Sequence, residues 1–268
     1  MRSIAALLLV ALAASGCAAA AGGAIVHRPT RTAAQPAVLV AATAICTKPA
    51  PDTATGYTSM FAALDQGQWG GADVAVSVPV GGRSVWLFGD TFSAGADGRG
   101  RFVHSSAITQ RAGCLHVSHG GAQLLPDAHQ VAAPTAADPA RIYWIQGGRA
   151  LGRDKLAVTA RTIEVVGTGA WDFRDGGSSR TALTSVDDAG DVTFVRWLAT
   201  TTGPPPDPGP LIDCEAPRPP APHHLCYARH RHPELRLAGG HALMTVSQNW
   251  DDGVLHPLRD YQPLFYAS

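Results

Sequence analysis

The chain of 268 residues is short of lysine and asparagine: Lys48 and Lys155 are its only lysines and Asn249 its only asparagine. Arginine therefore carries nearly all the positive charge, a bias that reads as a GC-rich genome. Neither sign of charge is in excess, with Lys+Arg and Asp+Glu both 21. Without a basic patch or an acidic run there is no source for the phosphate contacts that dominate nucleic-acid binding, so that partner is set aside. Only 16% of residues are charged and 46% are hydrophobic. Disorder throughout is thereby excluded, and the chain can fill one sizeable core or two small ones.

Several motifs are also missing. No Gly-x-Ser-x-Gly elbow is present, and Ser105 and Ser106 are expected to face a neighbouring strand. "GTGAWD" lacks the third glycine and the following helix of a dinucleotide fingerprint, and there is no phosphate loop. His223, His224, His230, His232, His241 and His256 are dense, yet lack a compact zinc spacing paired with cysteines that would stay reduced. Neither a metal nor another cofactor is expected from these residues. The apolar run Ile4 to Ala14 falls short of the roughly 20 residues needed to span a bilayer. It reads instead as an export signal, residues 1–16.

The ending "AASGC" resembles the bacterial lipobox. That resemblance implies a lipidated Cys17, a flexible tether over 17–36 and a position on the outer face of the cell membrane, held by the lipid anchor alone. The alternative is cleavage near Ala20, loss of Cys17 and secretion. Setting Cys17 aside leaves an even number of cysteines in an exported chain, as expected for two disulfides. The favoured pairs are Cys214 with Cys226, closing a Pro-rich loop, and Cys46 with Cys114, pinning the N-terminal segment to the first sheet. Free or metal-bound thiols are the alternative.

No 3.6-residue apolar period is sustained in the mature chain, whereas short apolar runs punctuated by Gly, Pro and Asp recur. The expected fold is all-β, one domain over 37–268. Strands centred on Trp86, Trp144, Trp197 and Leu243 lie at spacings suited to one four-stranded propeller blade each. A β-sandwich would also yield many short strands. The segment 203–222, "GPPPDPGPLIDCEAPRPPAP", has too few backbone donors for a central strand and reads as a surface loop.

"DVAVSVPV" and "RSVWLFGD" flank Gly81 and Gly82, a two-residue hairpin signal. That turn predicts a register in which Val80 faces Arg83, Val78 faces Val85, Val76 faces Leu87 and Asp73 faces Asp90. Both faces of this hairpin are apolar, so it is expected to lie between layers, with two acids side by side at its open end. Like charges opposed at about 5 Å destabilise a sheet. A close carboxyl pair is also what glycoside hydrolysis requires: one acid protonates the leaving oxygen, and the other is the nucleophile or activates water. The plain alternative is that Asp90 caps the turn through Thr91 while Asp73 bonds backbone N–H groups.

"WGGADVAVSVPVGGRSVWLFGDTF" with "FVHSSAITQ" resembles the opening blade of five-bladed β-propellers related to glycoside hydrolases, notably an actinobacterial group of unknown function that includes endo-D-arabinanases. The resemblance continues through "YWIQGGRALGRDKLAV", "WDFRDGGS", "YARHRHPELRLAGGHALMTVSQNW" and "YQPLFYA". It implies a five-bladed propeller with one blade shortened, a four-bladed propeller or a β-sandwich being the alternatives. It further implies a glycoside hydrolase acting on a cell-envelope or environmental polysaccharide such as arabinan. Asp73 and Asp90 would be catalytic, with His232 and Glu234 approaching from the last blade and Trp69 and Tyr57 offering faces to sugars. A structural cation in the propeller channel is left open, and a monomer is expected. This chain departs from the pattern at Gln146, where relatives carry an acid, and at Ser105-Ser106, where they tend to have Asn-Ser; a third acid is not identifiable. The second functional reading is therefore a non-catalytic lipoprotein that binds glycan or protein at the same mouth.

Overall fold

The computed structural model describes residues 44–66, 69–94, 100–168, 172–203, 224–250 and 261–268. The expected signal, Cys17, its tether, Cys214 and nearly all of the Pro-rich loop lie outside these residues. Within them the chain is mostly β. After β1 (Ile45–Cys46) comes one short helix, α1 (Ala54–Ala62), then β2 (Gly71–Ala72), β3 (Val76–Val80), β4 (Arg83–Phe88), β5 (Thr91–Ala94), β6 (Gly100–Val103), β7 (Ser106–Arg111) and β8 (Cys114–Val117). Longer strands follow: β9 (Ala140–Ala150), β10 (Lys155–Val165), β11 (Phe173–Val186), β12 (Val192–Thr202), β13 (His224–Arg236), β14 (Ala242–Trp250) and finally the short β15 (Leu264–Ala267).

These strands form antiparallel sheets: a first in the order β1-β8-β7-β4-β3, a second in the order β12-β11-β10-β9, a third in the order β13-β14-β15, and a small one in the order β2-β5-β6. Trp86, Trp144, Trp197 and Leu243 all sit on strands, but Trp144 and Trp197 share the second sheet, on β9 and β12. The tryptophan spacing therefore does not mark one sheet each. Strands of 11 to 14 residues in the second sheet lengthen the interval between its first and last members.

The β3–β4 hairpin has the register expected from its glycines, Val76 to Val80 pairing with Leu87 to Arg83. Gly81 and Gly82 have φ of 56° and 79°, the left-handed values that a tight primed turn needs. Successive side chains of β4 point to opposite faces, and both faces are covered. Trp86 and Phe88 pack with Tyr57, Met60 and Phe61 of α1 and with Leu243 and Phe265 of the third sheet. Val85 and Leu87 pack with Ile145, Leu156 and Val158 of the second. Each such buried side chain contributes about 1.5 to 3 kcal/mol, so this hairpin is the keel of the domain.

Helix α1 was not legible as an amphipathic period, being only nine residues long. Thr53 caps it, its hydroxyl accepting from the Gly56 N–H at 3.0 Å. The Cys46–Cys114 disulfide joins paired residues of β1 and β8 across a sequence separation of 68, tying the N-terminal segment to the first sheet as expected. Closing a loop of that length is worth about 4 kcal/mol in the chain-entropy account. Cys226 is also disulfide-bonded. No described helix is long and apolar enough to cross a membrane.

Candidate active site

Regular pairing of β3 stops at Val76, but the two chains stay together for three more residues. The Asp73 N–H donates to the Asp90 carbonyl at 3.1 Å, and the Gly89 N–H donates to the Asp73 carbonyl at 3.0 Å. The offset comes from Val74, whose φ of 56° is rare for a β-branched residue. Its N–H turns out of the ladder to the Ser247 hydroxyl of β14, at 2.7 Å. A strained residue beside a buried acid is the kind of local cost that active sites retain.

Asp73 is buried, 8% exposed. Its Oδ2 accepts from two phenols, Tyr227 of β13 at 3.0 Å and Tyr261 just ahead of β15 at 3.2 Å. Its Oδ1 is buried and has no partner among the described residues. Gly89 leaves the room for that oxygen, because a Cβ there would collide with it. Burial pushes the Asp73 carboxyl up to about 8 and the charge of Asp90 adds to the rise, against the opposing pull of the two phenols. The backbone N–H of Asp90 also favours ionisation of Asp73.

Asp90 follows β4 after the single residue Gly89. Its Oδ1 accepts from the Trp144 indole of β9 at 2.8 Å and pairs with His104 Nδ1 at 3.0 Å. Its other oxygen makes no hydrogen bond among the described residues, and the side chain is 16% exposed. Burial raises this carboxyl too, while His104 and the indole work against the rise. Aromatic rings crowd both sides. Phe92 packs edge-on to Tyr261 and against Phe102, Phe102 meets His104, and Trp144 meets Phe173. Phe102 is 49% exposed.

Thus the structure brings Asp73 and Asp90 together, and neither is held as a turn cap. The hydroxyl of Thr91 donates to the Gly89 carbonyl and meets Ser106, not Asp90. The other expected residues lie elsewhere. Trp69 is fully buried between Phe61 and Phe88, so its ring faces the core and not a sugar. Tyr57 is buried in the same cluster. Helix α1, which the sequence hid, carries Tyr57 into the core and covers Trp69.

His232 and Glu234 do not reach the aspartates. His232 is buried over Trp86, ring centroids 4.8 Å apart, with Nδ1 2.6 Å from the Ser77 hydroxyl and Nε2 2.8 Å from Thr245. Thr245 donates its proton to the Ala75 carbonyl, so it accepts from Nε2–H of a neutral imidazole. Burial holds this imidazole neutral, its pKa down to about 3, with nearby His230 adding to the fall. Glu234 contacts the same Ser77 hydroxyl and lines a cavity of about 500 Å³ with Tyr57, Arg83 and Gln110 at the turn end of the hairpin. No cluster of three or more His, Cys, Asp or Glu among the described residues could hold a metal. Gln146 accepts from Ser179 on the second sheet.

Tyr227, Tyr261, His104 and Trp144 were missed as site residues. Tyr227 and Tyr261 are 154 and 188 positions from Asp73, and no local pattern links them. Comparison with protein-family models, curated proteins and solved structures finds no match to this chain.

Proposed function

We propose that this protein is an exported, Cys17-anchored glycoside hydrolase of propeller architecture, cutting a cell-envelope or environmental polysaccharide such as arabinan. The observation that carries the reading is the way the two acids are held. Asp73 and Asp90 are both desolvated, and neither has an Arg or Lys partner among the described residues. Structural carboxylates in this chain look different: Asp175 is paired with the Arg161 guanidinium, which holds it below its ordinary range. Two close carboxyls in a dry site share one proton at neutral pH. Asp73, the more enclosed, keeps it and serves as general acid. Asp90, with an imidazole and an indole as partners and one oxygen open, is the base or nucleophile. Edge strands β3, β9 and β13 support the propeller, since β3 packs on both of the others as inner strands of adjacent blades do.

Asp90→Asn should lower release of reducing ends from arabinan by at least about a thousandfold while leaving the fold intact, as loss of a positioned acid–base group does. A second reading, a glycan-binding lipoprotein without catalysis, is favoured by the burial of Asp73 Oδ1 and of Trp69. Purified wild-type protein that releases no reducing ends across a panel of arabinans and xylans, yet retards them in affinity electrophoresis, would establish that reading instead.

A further inference from the structure

The two phenols on Asp73 arrive from opposite sides of the third sheet, Tyr227 on β13 and Tyr261 at the entrance to β15, with β14 between them. Packing alone does not require this. A phenylalanine at either position would fill the same volume, so what the hydroxyls add is two donors aimed at one carboxyl oxygen. The backbone is bent to deliver them. Ala228, next to Tyr227, has φ of 50°, and the pairing of β13 with β14 is interrupted between Tyr227 and His230. Val74, next to Asp73, is likewise strained. Non-glycine residues in this region cost about 1 to 2 kcal/mol each, and here two of them flank the two ends of one hydrogen bond. Tyr261 is braced in turn by Phe92, and the Gln262 carbonyl beside it accepts from Gln248 at 2.9 Å.

We infer that Tyr227 and Tyr261 are positioning residues that clamp Asp73 through Oδ2 and so set its orientation and its hold on the shared proton. The inference rests on the hydrolase reading for its purpose, not for its geometry. Burial and the neighbouring Asp90 charge drive Asp73 towards the protonated form, and the phenols are the opposing force. The titratable groups facing Asp73 are Asp90 after β4, Tyr227 from β13 and Tyr261 from the C-terminal segment, with His104 beyond Asp90. Val74 and Ser247 contribute only neutral groups. Both phenols are held well above their ordinary range by burial and by the Asp73 charge, so they remain donors throughout the working pH.

The test is the carboxyl titration of the full chain by infrared or carbon-13 spectroscopy, with Asp73→Asn identifying the Asp73 band. Tyr227→Phe and Tyr261→Phe should each move its midpoint upward by about one pH unit, the amount expected for one lost donor to a charged group. The alkaline limb of arabinan hydrolysis should move upward with it. An unchanged midpoint in both variants, at unchanged melting temperature, overturns the clamp. Two separate variants guard against one failing to fold. A shifted midpoint in a protein whose wild type cuts no glycan overturns the hydrolase reading and leaves the clamp standing.

Discussion

Two polar clusters are buried against the same hairpin, and they are opposites. Around Ser77 every group has a partner: Glu234, Ser77, His232, Thr245 and the Ala75 carbonyl form a chain, and His232 spends no charge in the core. At the open end, Asp73 is left with an oxygen that has no partner among the described residues, and a second carboxyl beside it. Buried polar groups are nearly always satisfied, so the exception is the informative one. A closed network fixes how the first and third sheets meet. In the open pair, burial and the neighbouring charge favour a retained proton.

The two clusters should respond to mutation and to pH in opposite ways. Removing a member of the closed network should have the largest effect on stability. His232→Leu strips Ser77 and Thr245 of their imidazole partner in a buried interface, leaving Ser77 only Glu234 and Thr245 only the Ala75 carbonyl, and should cost about 3 kcal/mol by urea titration at pH 7. The wild-type pH dependence follows the same division. His232 titrates below its ordinary 6.5 when folded. Its contribution is therefore full above pH 6.5 and is lost as the pH falls towards 3. Asp73 is raised, from 3.8 to about 8. Its contribution is full below about pH 4 and is lost as the pH rises through 8. Asp73→Asn should thus raise the melting temperature at pH 9 by several degrees and change it little at pH 4, the next largest effect. Scanning calorimetry of both variants across this range checks the pair. If both variants changed the pH dependence on the same side of neutrality, the contrast between the clusters would fail.

The part of this arrangement that was legible in the sequence is the part written locally. Gly81 and Gly82 set the register of β3 and β4, and two alternating apolar faces announced a strand pair between layers. The Cys46–Cys114 pairing, favoured among the three connectivities that four cysteines allow, is present. What stayed hidden depends on long-range approach. His232 and Glu234 are close in sequence to Tyr227, but they sit further along β13 and meet the hairpin at Ser77 rather than at Asp73. A histidine beside a glutamate looks chemical in a sequence; only its partners reveal it as core. Trp69 was misjudged for a related reason. Beside two glycines it reads as an exposed platform, yet a nine-residue helix too short to betray its period lies over it.

Gly89 offers the finest test, because it separates the geometry of the acid pair from its chemistry. Its place after β4 looks like that of a turn residue, but its φ is not in the left-handed region, so conformational freedom is not the reason for glycine there. The reason is space: a methyl group would overlap Asp73 Oδ1 and come within 3.2 Å of Val74 Cγ2. Gly89→Ala keeps both acids, both phenols and the indole, and should cost only about 1 kcal/mol of stability as one methyl is accommodated. Hydrolysis should nevertheless fall by about ten- to a hundredfold, since small displacements of a catalytic group carry penalties of that order. The loss should appear in kcat rather than KM. The same methyl at Gly82, where nothing lies within 4 Å of a Cβ, would strain the turn but leave the carboxyls untouched. If Gly82→Ala and Gly89→Ala lowered kcat equally, the open space beside Asp73 would have no part in the chemistry.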